Sequence, residues 1–136
     1  MMKSFITTII LSVALFLLPI AYAMEEKEVE KSFHRFNQQW MKSLHEMEKR
    51  GRANLRCKKV KDQYITVYTG YSTTYSSTIK KTDYKESPYI GILNYREKKF
   101  ISRARTFEEA IQGPFNLIDD YPVTEIFVFK NGRWRY

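Results

Sequence analysis

Cysteine is nearly absent from this chain: Cys57 stands alone among 136 residues, so no disulfide can close within it. The staple common in small exported domains is excluded, and a hydrophobic core must hold the fold. Glycine (5) and proline (4) are scarce, and each glycine is isolated, which excludes a glycine-rich phosphate loop. Histidine is limited to His34 and His45. On one helix, eleven residues apart, they would be separated by about 16 Å along the axis, too far to share a metal. His45-Glu46 opens an H-E-x-x-H pattern that Lys49 breaks. No serine sits in a G-x-S-x-G elbow, and no histidine is placed to serve Cys57 as a base. No motif implies a cofactor or a metal. Among the stretches without acidic residues are the first 24 residues and the cation-rich residues 49–61.

The first of these stretches reads as an export signal. Lys3 precedes an apolar run over residues 5–20, interrupted only by Thr7, Thr8 and Ser12, and Ala21-Tyr22-Ala23 is the small-x-small pattern of a cleavage site. The run is shorter than the roughly 20 residues a spanning helix needs. Residues 1–23 are therefore expected to be a secretory signal, leaving residues 24–136 as one domain in the periplasm or outside the cell. An uncleaved N-terminal anchor is the alternative. Met24 and Glu25 stand where a lipidated cysteine would have to be, which argues against a lipoprotein. Removing Lys3 with the signal leaves 22 basic against 15 acidic residues, a net charge of +7. Such a domain is drawn to anionic partners: an envelope component such as lipid headgroups or acidic polysaccharide, or an acidic protein. Nucleic acid fits the charge and not the compartment.

In residues 24–50, Val29, Phe33, Phe36, Trp40, Leu44 and Met47 recur every three or four positions, which predicts a long amphipathic helix. Four glutamates crowd its start, Lys49 and Arg50 close it, and Gly51 is the expected stop. The period then becomes two. Ala53, Leu55 and Cys57 alternate with Arg52, Asn54, Arg56 and Lys58, predicting a half-buried strand with Cys57 turned inward. Residues 64–83 alternate as well. Ile65, Val67, Tyr71, Tyr75 and Ile79 are expected to face the core, and the Thr/Ser positions solvent, with Gly70 marking a bend. A strand over 89–96, a tight turn at Glu97-Lys98 and a returning strand over 99–105 come next. Thr106 and Glu109 then form a capping box for a short helix that ends at Gly113-Pro114. Residues 116–121 read as loop.

The chain closes on PVTEIFVFKNGRWRY. Asn131-Gly132 suits a two-residue hairpin turn, which sets Phe129 opposite Trp134 and collects Phe127, Phe129, Trp134 and Tyr136 on one face. Those rings require a partner surface, and the helix supplies it. The fold class expected is α+β: a long N-terminal helix on a curved antiparallel sheet of about five to six strands, a short second helix and a closing hairpin. The ending F-V-F-K-N-G-R-W-R-Y resembles the last hairpin of NTF2-like domains, and a helix leading into a sheet is similar to cystatin-like domains. The NTF2-like resemblance implies a cone-shaped sheet with a pocket against the helix, on a superfold that hosts both enzymes and binding modules.

Between residues 49 and 61 there are seven cations and no acid, and Arg52, Arg56, Lys58, Lys59 and Lys61 are the candidate anion- or partner-binding residues. Arg52, Arg56 and Lys58 are expected on one strand face, with Arg103, Arg105, Arg133 and Arg135 as a second group. The same residues could simply solubilise the domain and guard a sheet edge. The carboxylate pairs Glu108-Glu109 and Asp119-Asp120 read as a helix start and a loop. A non-catalytic exported binding module is the reading these features favour. The alternative is a small pocket-bearing enzyme using groups such as Asp83, Tyr89 or Tyr95. Ile126 and Val128 make the second hairpin face apolar, which suggests a homodimer through the sheet.

Overall fold

A computed structural model describes residues 18–136, with side chains from residue 25 onward. The expected signal peptide and its apolar run lie outside the described residues except for the segment 18–23, which is helical. The elements are α1 (Leu18–Ala53), β1 (Cys57–Val60), β2 (Gln63–Tyr71), β3 (Ser76–Lys81), β4 (Tyr89–Ala104), α2 (Phe107–Gln112), β5 (Asn116–Lys130) and β6 (Arg133–Arg135). The α+β class is as expected: a long leading helix, a curled antiparallel sheet, a short second helix and a closing hairpin. The chain divides into two compact units, residues 1–32 and 33–136. The described part of the first is helix, with Lys31 paired to Glu28 at 3.0 Å.

The helix runs through Gly51 to Ala53, and Asn54 caps its last turn by donating from its backbone N–H and its side-chain amide to the Arg50 carbonyl, each at 3.0 Å. The expected stop at Gly51 is wrong: Gly51 does not take the positive φ of a helix stop, and the chain stays helical until Asn54 takes up the Arg50 carbonyl. The strand expected from residue 52 shrinks to four residues accordingly. The buried line of the helix is also rotated from the expected stripe, by about 50° on a 100°-per-residue wheel. Phe33, Asn37 and Met41 are buried, Phe36, Trp40 and Leu44 half-buried, and Met47 is 51% exposed. The large rings flank the contact line because the hairpin rings meet them there. Phe33 lies 4.4 Å from Trp134, and Phe36 and Trp40 lie 4.7 and 4.9 Å from Phe127, all centroid to centroid.

The sheet order is β1-β2-β4-β5-β6, with β3 pairing β4 beside β2. One continuous strand, β4, organises it. The expected turn at Glu97-Lys98 does not form. Residues 97–104 pair β2, residues 89–94 pair β3, and the opposite edge pairs β5. Glu97 and Lys98 lack the positive-φ preference a tight turn needs, so the chain stays extended. The loop expected over 116–121 is likewise the start of β5, bulged where Lys99 faces Asp119 and Phe100 faces Leu117. Tyr89, Gly91, Leu93 and Tyr95 alternate onto the face beneath α1, and a side-chain carbon added at Gly91 would lie 2.3 Å from the Phe33 ring.

In β2 the expected facing is inverted. Thr66 is fully buried and Gly70 is buried, whereas Val67 is 46% exposed. Gly70 lies inside β2, and the tip is residues 72–75. The inversion follows from what packs on the even-numbered positions: α2 lies on β1, β2 and β4 with Ala110 fully buried, and a side-chain carbon added at Gly70 would lie 3.0 Å from Phe100 and 3.1 Å from Glu48. Thr106 caps α2 as expected, its hydroxyl accepting from the Glu109 N–H at 3.3 Å, which is one of the two bonds of a capping box, and Gly113 closes the helix at φ 91°. The hairpin turn is also as expected, with Asn131 at φ 53° and Gly132 at φ 70° setting Lys130 opposite Arg133 and Phe129 opposite Trp134.

Candidate anion-binding surface

The five candidate cations do not share one strand face. Arg52 stands in the last helical turn, Arg56 in the link before β1, Lys58 and Lys59 in β1, and Lys61 at φ 54° in the turn to β2. The helix overruns the region where the alternation was expected, so only Lys58 and Lys59 alternate. What the fold creates instead is a basic margin around the terminal strand of the sheet. Register places Lys58 against Ile65 and Ile65 against Arg103, a row across three strands on one face. Lys59 pairs with Tyr64 on the other face. Of the second group expected, Arg103 joins this margin. Arg133 and Arg135 lie on β6, at the opposite edge of the sheet.

Two of these cations rest on aromatic rings. The Arg52 guanidinium carbon is 5.1 Å from the Tyr68 centroid, and the Lys59 ammonium 5.5 Å from that of Tyr64. The rings are fixed from below: Tyr68 stacks on Phe100 at 4.9 Å and meets Phe115 edge-on at 5.0 Å, while Tyr64 meets Phe107 edge-on at 6.3 Å. Ring quadrupoles attract cations, so these two charges are held in place without an acid to neutralise them. Among the described residues, none of the seven cations from Lys49 to Lys61 has a carboxylate within ion-pair distance.

Other sequence candidates are dispersed. His34 is exposed and His45 is half-buried, its Nε2 lying 3.2 Å from the Ser72 carbonyl. Among the described residues no group of three or more His, Cys, Asp or Glu could hold a metal ion. Cys57 is half-exposed rather than buried, because β1 is an edge strand. Asp120 lies in β5 and binds Arg96 at 2.7 Å. Asp83 is exposed between β3 and β4, and Tyr89 is buried beside Phe129, 6.2 Å between centroids, so the enzyme candidates do not converge.

A second constellation escaped sequence reading: tyrosines paired with glutamates across the sheet. The Tyr95 hydroxyl donates to Glu125 Oε1 at 2.9 Å, and Tyr121 donates to Glu97. Burial first, then the bond to Glu125, pushes the Tyr95 phenol well above its ordinary value. Burial, then the charges of Glu97 and Glu48, raises Tyr71. Hydrogen bonding to Glu97 raises Tyr121, and to Glu125 raises Tyr136. Glu48 also accepts the Tyr71 N–H at 3.2 Å, covering part of the β2 edge that β1 leaves unpaired. The hydroxyl bonds join residues 30 and 24 apart in sequence, so no local spacing announces them.

Compared with family models, curated proteins and solved structures, the chain matches none.

Proposed function

We propose that this chain is a small exported binding module, without catalysis of its own, that holds an anionic envelope component or acidic partner on the basic margin around β1. One observation carries the reading: seven neighbouring cations lack a carboxylate partner among the described residues, and two of them are fixed over tyrosine rings. Fixed, unneutralised charges lose little entropy on meeting an anion. Under residues 33–40 of α1 the rings of Phe33, Phe36, Trp40 and Phe127 pack on one another, and the space they fill supports a binding module over a pocket-bearing enzyme. The resemblance of residues 127–136 to an NTF2-like closing hairpin belongs to this proposal, since that superfold includes modules that only bind.

The test is retention on an anionic matrix as a function of salt. Binding should weaken steeply with ionic strength, and Arg52→Glu, Arg56→Glu and Lys58→Glu should each weaken it further. Retention indifferent to both would refute the reading. Export is tested by N-terminal sequencing of the product outside the cytoplasm, which should begin at Met24. A homodimer through the sheet is supported by Ile126, 57% exposed beside Ile92 on the face away from α1, and sedimentation should then give twice the chain mass.

A further inference from the structure

Resting on that reading, we infer that the ligand of the basic margin is a flexible linear polyanion of the acidic-polysaccharide class, which crosses the β1 edge. It meets Lys58 and Arg103 on the face that α2 leaves open, and the exposed Lys59 and Arg52 at the rim of the face that α2 covers. Successive side chains of a strand point to opposite faces, so Lys58 and Lys59 cannot both meet a flat partner lying on one face. Register extends each into a separate group. Lys58 shares its face with Arg103 across Ile65, and Lys59 over Tyr64 shares its face with Arg52 over Tyr68. Tyr64 and Tyr68 are four residues apart on β2, so the two ring-held charges are spaced by about 13 Å along that strand. The strand between the groups has four residues, and it ends the sheet order, so nothing of the sheet lies beyond it. Its Val60 is 43% exposed, and Lys61 turns the corner. A narrow charged polymer can bend around such a margin, whereas a bilayer meets one side of it.

The rings exclude a different polymer. Single-stranded nucleic acid gains much of its affinity by stacking bases on open aromatic faces. Here Arg52 and Lys59 cover the faces of Tyr68 and Tyr64. A polyuronate needs only the charges.

Two probes decide it, alginate and vesicles of phosphatidylglycerol in phosphatidylcholine, each titrated at low salt with the chain as its cells process it. Alginate should bind, and Lys58→Glu and Lys59→Glu should each weaken it roughly five- to tenfold, with Arg103→Glu following Lys58→Glu. Lys58→Gln and Lys59→Gln should each lower the salt slope by about one. Unchanged thermal unfolding of the glutamine variants certifies the fold. Sensitivity confined to one face would overturn the wrapped geometry. Vesicle binding without alginate binding would overturn the polysaccharide and leave the basic surface standing. Failure of both probes would remove the basic-surface reading itself, and this inference with it.

Discussion

Asn37 sits in the middle of the buried line of α1, fully buried, with neither its amide nitrogen nor its oxygen hydrogen-bonded among the described residues. A buried polar group without a partner costs about 1–3 kcal/mol. Replacing it with an apolar residue of similar size removes that cost and adds burial between Phe33 and Met41. Asn37→Leu is therefore expected to stabilise the domain by about 1–3 kcal/mol, seen as a higher urea midpoint at unchanged slope. A lower midpoint would mean that an internal water satisfies the amide. Thr66 poses the same question in β2, where its buried Oγ1 also has no partner.

Two glycines separate the behaviour of the elements. Gly132 holds φ 70° in the hairpin turn with open space around it, so adding a methyl tests backbone strain alone. Gly132→Ala should destabilise by about 1–2 kcal/mol and speed hydrogen exchange in β6. Gly51 also has open space but lies inside α1, without a positive φ. Gly51→Ala should stabilise by about 0.5–1 kcal/mol. Thermal unfolding of both variants checks the pair. Destabilisation at Gly51 would restore the helix stop that its place in the sequence suggests.

At the scale of the whole molecule, the tyrosine–glutamate pairs tie β4 to β5 and make stability depend on alkaline pH. For Tyr95 the folded state raises the phenol pKa above the unfolded value near 10. The folded protein then holds the proton more tightly, so this contribution is complete below pH 10 and is lost as pH climbs from there. Tyr71, Tyr121 and Tyr136 shift in the same direction. Tyr95→Phe should cost about 1.5–3 kcal/mol near neutrality, the range for a hydrogen bond to a charged group. Its deficit relative to the parent should narrow above pH 10. Urea unfolding at pH 7 and at stepped values above 10 measures both, and a constant deficit would disconnect Tyr95 from the alkaline slope.

The sequence by itself determined what local chemistry can determine. Asn131-Gly132 specifies its turn through backbone sterics, Thr106 and Glu109 specify the start of α2 through one side-chain hydrogen bond, and the apolar period specifies α1. These signals act within a few residues, so a linear reading finds them, as it finds the acid-free run of cations. Tertiary structure decided which face of β2 is buried, because α2 lies about 40 residues further on. It kept β4 straight through Glu97-Lys98, because β2, β3 and β5 all pair along it. It also arranged the candidate site. Whether seven cations form a plane or surround an edge depends on where the helix yields to strand and on which strand ends the sheet, and both are set by packing between distant segments.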